Sequence, residues 1–249
     1  MFGHLRSQPA RVANRPSAAG FTLVEVIVVV AIVTILAALS LPMVQRSLVG
    51  AKRAECSSNL RQIGTAIHLY ANDHDGRLPG TTHELGTDIE VAWIFALKPY
   101  VGGVDEIRIC PADPKGPDRL RADGTSYILN SYVFVPRIGP FGEALPGSIN
   151  NVRAISQPSQ TLFASNISDA QGVSAQSDHT HSDRWEGSWG ALCADIQPDR
   201  FTTNAQPDHT EGSANYLFAD GHVETIAASV VKERLERGDN IARPPDLRP

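Results

Sequence analysis

A run of twenty consecutive uncharged residues, 26–45, constrains this chain more than any other feature. At about 1.5 Å per residue, a helix of that length spans roughly 30 Å, the hydrocarbon thickness of a bilayer. The run opens on Val26-Ile27-Val28-Val29-Val30, a β-branched stretch that would suit a strand in water. In lipid the backbone has to satisfy its own hydrogen bonds, so a helix is expected instead. A buried core helix is the competing reading, but the run is longer than such helices usually are. The 249-residue chain has room for a real core besides this anchor, and its net charge of −5 supplies no basic footprint for nucleic acid.

Charge alone leaves the topology open. Arg6, Arg11 and Arg15 precede the run, and Arg46, Lys52 and Arg53 follow it. That is three against three under the positive-inside rule, although the absence of acids before Phe21 favours an internal N-terminus. A secretory signal peptide cut near Ala38-Leu39-Ser40 is a second reading. Against it stand the length of the apolar run and a carboxylate, Glu25, at its start. A carboxylate within a membrane helix costs about 2.5–3.5 kcal/mol on insertion scales and is a functional residue by default. Snorkelling to the interface is the bland alternative for it.

Gly20-Phe21-Thr22-Leu23-Val24-Glu25, followed by about twenty apolar residues, resembles the class III signal of type IV pilins and type II secretion pseudopilins. The resemblance implies cleavage of the Gly20–Phe21 bond by a prepilin peptidase and N-methylation of Phe21. It implies that Glu25 is the acid that meets a neighbouring subunit's terminal amine and sets axial register. Pro42 falls where many pilins bend their first helix. The partners so implied are the peptidase, other pilin or pseudopilin subunits and the cytoplasmic membrane. The location is the bacterial inner membrane, with an extracytoplasmic head and a possible place in an envelope filament.

The helical period continues past the membrane. Leu60, Ile63, Ile67 and Tyr70 share one face, Ala66 and Leu69 are expected to widen it, and Gly76 and Pro79 to end the helix. The resulting division is a leader (1–20), a membrane and assembly helix (21–42), its exposed half (43–75), a globular head (76–238) and a loose, proline-rich tail (239–249). In the head, 91–100 reads as a short helix burying Trp93, Ile94 and Leu97. Strands are expected at 126–135, 161–165, 214–218 and 222–226, the last two joined by an Asp220-Gly221 hairpin turn. A helix at 227–237 turns Val231 and Leu235 inward, and 169–184 is a polar loop. The fold class is α+β and pilin-like: a long N-terminal helix packed on a small antiparallel sheet with irregular loops.

The stretch from His209 to His222 resembles a prepilin-associated module named for a His, nine residues and Asp-Gly, although ten residues separate His209 from Asp220 here. "ICPADP" and "TSYILN" resemble segments common in the same proteins. No defined chemistry comes with that module.

Asp178, His179, His181 and Asp183 form a dense cluster in which an extended chain would turn both histidines to one side, as a divalent metal would require. The competing reading is a polar surface loop. Asp169, Asp195 and Asp220 are candidate calcium ligands without a calcium-loop spacing. His209 or His222 as a general base has no nucleophile motif beside it, so no cofactor is required and no enzyme is expected. Cys56, Cys110 and Cys193 give an odd count. A disulfide is permitted outside the cytoplasm, and Cys110–Cys193 is the first pairing to test.

Two functional readings follow. In the first the chain is a structural subunit that assembles through its helix into a pilus or pseudopilus. In the second it is a single-span anchored binding module that never polymerises.

Overall fold

The computed structural model describes residues 20–82, 92–141, 143, 145 and 148–247. The expected leader, with its three arginines, therefore lies outside the described residues except for Gly20. The chain divides into two units, Met1–Val44 and Gln45–Pro249. Helix α1, Leu23–Asp73, is assigned without interruption across that boundary and contains Pro42.

In the first unit every described residue is exposed. The apolar side chains are bare all round the helix, from Phe21 at 82% and Leu23 at 75% to Val26 at 49%. An evenly apolar helix has no polar face to offer water, so this surface is built for lipid or for protein.

In the second unit α1 becomes one-sided. Cys56, Leu60, Ile63, Ala66, Ile67 and Ala71 are buried, whereas Leu69 is 48% exposed. At about 100° per residue Leu69 falls nearly opposite the buried stripe, so it does not widen the stripe as expected. Helix α1 ends where Asp75 and Gly76 take left-handed φ of 57° and 87°. The Gly76 N–H returns to Ala71 O at 2.6 Å. A Cβ on Gly76 would stand 2.5 Å from Asn151 Oδ1, so glycine is required there twice over.

The head carries a four-stranded sheet of β1 (Tyr127–Leu129), β2 (Leu162–Asn166), β3 (Ser213–Phe218) and β4 (Val223–Ala227), in that order and antiparallel throughout. The expected strand at 126–135 stops after three residues. The Asn130 side chain accepts from the Tyr132 N–H at 3.1 Å and starts a helical turn, α4 (Ser131–Phe134), after the short helices α2 (Trp93–Ala96) and α3 (Gly116–Arg121). The β3–β4 hairpin turns at Asp220-Gly221 as expected, with Gly221 at φ 87°. Helices α5 (Trp189–Asp195) and α6 (Ala228–Glu236) follow from the remaining segments, and α6 buries Val231 and Leu235.

Alternation along the strands sends side chains to two cores. Tyr127, Leu129, Phe163 and Leu217 join the buried face of α1, together with Trp93 and Leu97. Ile128, Leu162, Ala214 and Tyr216 join Trp185 with residues of α5 and α6. Both faces of the sheet are thus covered, one by α1 and one by a layer of which only the helix carrying Val231 and Leu235 was expected from sequence. The tail also differs from expectation. Asn240, Ile241 and Ala242 are buried, Asn240 Nδ2 donates to Ser182 O at 2.8 Å, and Asn130 Nδ2 donates to Ala242 O at 2.6 Å. Backbone bonding to buried asparagines holds a segment whose prolines alone suggest looseness.

The irregular loops are tied by buried charge. Arg119 Nε donates to Asp113 Oδ2 at 2.9 Å with both side chains wholly buried, and Ser126 Oγ donates to the same oxygen at 2.6 Å. Arg119 also reaches the carbonyls of Gly172 and Ser168. Arg200 Nη1 pairs with Asp169 at 2.8 Å and lies 4.0 Å from Asp113. Removing one partner of such a pair strands the other's charge. Asp113→Ala is therefore expected to destabilise the head by about 3–5 kcal/mol, read as a lowered urea midpoint in the detergent-solubilised chain. An unchanged midpoint would refute that role.

Candidate functional site

The first turn of α1 answers how an acid can stand at the mouth of an apolar helix. Thr22 precedes Leu23, the first helical residue, and its carbonyl already accepts from the Val26 N–H at 3.3 Å. The Glu25 N–H donates to Thr22 Oγ1 at 3.2 Å. In return the Thr22 N–H and Oγ1 donate to Glu25 Oε2 at 2.8 and 2.7 Å. This is a reciprocal capping box, with Thr at the N-cap and Glu three residues on. The Thr-x-x-Glu spacing was visible in the sequence, and sequence reading passed it over in favour of the acid alone. The carboxylate also sits at the positive end of the helix dipole. Both Thr22 donors converge on Oε2, and among the described residues none donates to Oε1.

The rest of the apolar segment satisfies itself in the same way. Thr34 Oγ1 donates to Val30 O and, at 3.2 Å, to Ala31 O, and Ser40 Oγ donates to Leu36 O at 2.7 Å. No hydroxyl in the run needs water, which suits a hydrocarbon environment. Helix α1 is long and apolar enough to cross a membrane, with a window of mean hydropathy 2.8 of which none is buried. Pro42 has no N–H to give Ala38 O, and the helix assignment nonetheless continues through it.

In the head, the histidine cluster keeps its alternation but does not gather as a metal site. His179 and His181 do share the outward side, with ring centroids 5.3 Å apart. Asp178 is wholly buried. It accepts from the Thr82 N–H at 2.9 Å, from Thr82 Oγ1 at 2.8 Å and from His179 Nδ1 at 2.8 Å. Asp183 is exposed in the following 3₁₀ turn, Ser182–Trp185. Each candidate calcium ligand is likewise engaged. Asp169 pairs with Arg200, and Asp195 accepts from the His181 N–H at 2.7 Å and Trp185 Nε1 at 2.8 Å. Asp220 accepts from the His222 N–H at 3.1 Å. Among the described residues no group of three or more His, Cys, Asp or Glu side chains could hold a metal ion. His209 pairs with Asp199 at 3.0 Å rather than with Asp220.

The cysteines are also arranged otherwise than expected. Cys110 lies in the α1-side core and Cys193 packs against the opposite one, so the sheet separates the pair expected to bridge. The residue beside Cys110 is Cys56, whose place on α1 gave no sequence signal of that proximity.

Comparison with known proteins bears on the two stretches flanking the boundary at Val44. Residues 15–41 match the prokaryotic N-terminal methylation motif. Residues 50–105 match a family described as a protein of unknown function, DUF1559. The chain is also similar to the competence protein ComGC of Halalkalibacterium halodurans, 39% identical over 61 residues. That alignment covers 24% of this chain and 59% of the relative, so the chain spans less than two thirds of that protein's length. No solved structure matches.

The capping geometry is directly testable. Thr22→Val keeps the side-chain shape and removes the hydroxyl, at an expected cost of about 1 kcal/mol to the first turn. Amide exchange of residues 23–26 in micelles should quicken by roughly fivefold, with residues 30–40 unchanged. Equal exchange in both proteins would show that the box does not hold the helix start.

Proposed function

The chain is type IV pilin-like, and on that premise we propose that it is a prepilin-like structural subunit of an envelope filament, either a pilus-like fibre or a type II secretion pseudopilus. A prepilin peptidase cuts Gly20–Phe21 and methylates the Phe21 amine. The segment 21–42 then holds the subunit in the inner membrane and packs against its neighbours' helices. The bend at Pro42 belongs to this reading, as does an extracytoplasmic head. The observation that carries it is a coincidence of three features in one segment: the methylation-motif match at 15–41, apolar side chains left uncovered all round the helix, and an acid held in place beside the scissile bond.

The capping box refines what Glu25 contributes. Cleavage frees an ammonium at Phe21, one residue before the donor that grips the carboxylate. Thr22 fixes Oε2, and Oε1 is left to meet the ammonium of an adjacent chain. A pairing that forms only in one register makes the buried charge a specifier of assembly rather than a source of stability.

A second reading, an anchored binding module that does not polymerise, is favoured by one feature of the head. A groove of about 580 Å³ is lined by Tyr132, Arg137, His179, His181 and Arg243, among others. Its mixed charge and ring surfaces suit a polar ligand.

Two measurements decide between these readings. Mass spectrometry of the mature N-terminal peptide is expected to give a species beginning at Phe21 with one added methyl group. A start at Leu41 would instead establish the signal-peptide alternative. Glu25→Gln retains an oxygen to accept from Thr22 but no charge. It should leave the monomer's helix intact while cutting recovery of sheared or cross-linked filaments at least tenfold. Undiminished assembly of Glu25→Gln would remove the register-setting role, and absence of any assembly in the unaltered chain would favour the binding module.

A further inference from the structure

Cys56 and Cys110 are 54 positions apart in the chain, wholly enclosed, and members of the same core. Cys56 lies on the face of α1 that meets the sheet, where two donors address its sulfur: Asn166 Nδ2 at 3.3 Å and Tyr127 Oη at 3.4 Å. One helical turn on, Asn59 Nδ2 donates to the carbonyl of Ile109 at 3.0 Å. That bond pins the backbone immediately before Cys110 against the same stretch of helix. The two thiols are near enough for each to affect the other's ionisation. A polar surround at one sulfur, a backbone clamp beside the other and a second thiol as neighbour are more than packing needs from two small apolar residues.

We propose that Cys56 and Cys110 form a structural disulfide that staples α1 to the head, and that Cys193 remains the free thiol. The proposal rests on the extracytoplasmic placement of the head given above, because only an oxidising compartment keeps such a bond. The chemistry is thiol–disulfide exchange with an external disulfide oxidant. One protein thiol, its proton lost to solvent, opens the oxidant's disulfide as the thiolate, giving a mixed disulfide and releasing the oxidant's first sulfur as a thiolate. The second protein thiolate then attacks the protein sulfur of that mixed disulfide, forming the Cys56–Cys110 bond and expelling the oxidant's second sulfur as a thiolate. Two protein thiols are oxidised and one disulfide is reduced to two thiols. Both sulfurs are enclosed in the finished fold, so the exchange takes place while the head is closing.

In the closed head the two thiols sit in unlike environments. Burial raises the pKa of Cys56, but hydrogen bonds from Cys110, Asn166, Tyr127 and Asn215 outweigh it and bring the net value down. Burial and the neighbouring Cys56 push Cys110 strongly up. Cys193 is pushed up to about 12 by burial and by nearby Asp199. Its position in the opposite core removes it from reach of either partner.

The test refolds the full chain in detergent in a buffer of reduced and oxidised glutathione, denatures it with iodoacetamide present and digests it without reductant. The expected product is one cross-linked pair of peptides containing Cys56 and Cys110, with Cys193 alkylated. Cys193→Ser should leave that link intact, and Cys56→Ser should abolish it. Adding reductant should lower the melting temperature of the unaltered chain by roughly 5–15 °C and that of Cys56→Ser not at all. Three alkylated cysteines after refolding, or a link involving Cys193, would overturn the pairing. The same digest of protein recovered from cells separates the two inferences. Free Cys56 and Cys110 there, with the link forming in the refolded chain, would count against the extracytoplasmic placement and hence against use of the bond in the cell. A link in the cellular protein supports both.

Discussion

The head of this protein closes on a helix that begins as something else. Between Cys56 and Ala71 one face of α1 is the wall of the larger core, and without it Tyr127, Leu129, Phe163 and Leu217 would face solvent. Thirty residues earlier, every described side chain of the same helix is exposed. Burial of apolar surface is the dominant favourable contribution to folding, so the core depends on α1 being helical and in register. Gly64, in the middle of that face, conforms too, since a Cβ there would stand 2.8 Å from Leu217 Cδ1. The polar seam between helix and sheet adds direction to this burial. Asn215 Nδ2 donates to Arg53 O at 2.9 Å, and Asn166 bridges from β2 to the Cys56 sulfur. Apolar contact alone would tolerate a helix sliding by a turn, and satisfied hydrogen bonds at fixed positions do not.

At the other end of α1 the governing constraint is electrostatic. An apolar helix leaves its first N–H groups without partners, and hydrocarbon offers none. Thr22 and Glu25 satisfy each other, so the residue that looks most out of place also completes the helix. A local role and an assembly role for Glu25 are compatible because a carboxylate has two oxygens. The first holds the helix start, and on the proposed reading the second is left for a neighbour. An acid used for recognition alone would be a liability in every unassembled chain.

The head's irregularity follows from how its loops are held. Few of its residues lie in strands, yet the segments around Asp113, Arg119 and Arg200 are ordered by buried ion pairs and by carbonyls that accept from arginine. Side chains replace the backbone ladder as the partner for buried polar groups. Such tethering is specific to the residues that meet, which is why the order of these loops is invisible to hydrophobic periodicity.

The sequence by itself determined whatever depends on neighbours a few residues away. The apolar run, the stripe Leu60–Ile63–Ile67, the stop at Gly76, the Asp220-Gly221 hairpin and the inward Val231 and Leu235 all rest on local period or turn chemistry. The capping box was equally local, and legible from Thr22 and Glu25 alone. Only the tertiary structure decided what long-range contact controls. It shortened the strand after Leu129, buried Asp178 between Thr82 and His179, drew Asn240 into the fold and set the sheet between Cys110 and Cys193 while seating Cys56 beside Cys110. Period and propensity describe how a segment presents its own faces. Which distant segment comes to lie against each face is fixed when the two cores close, and no single stretch of chain carries that information.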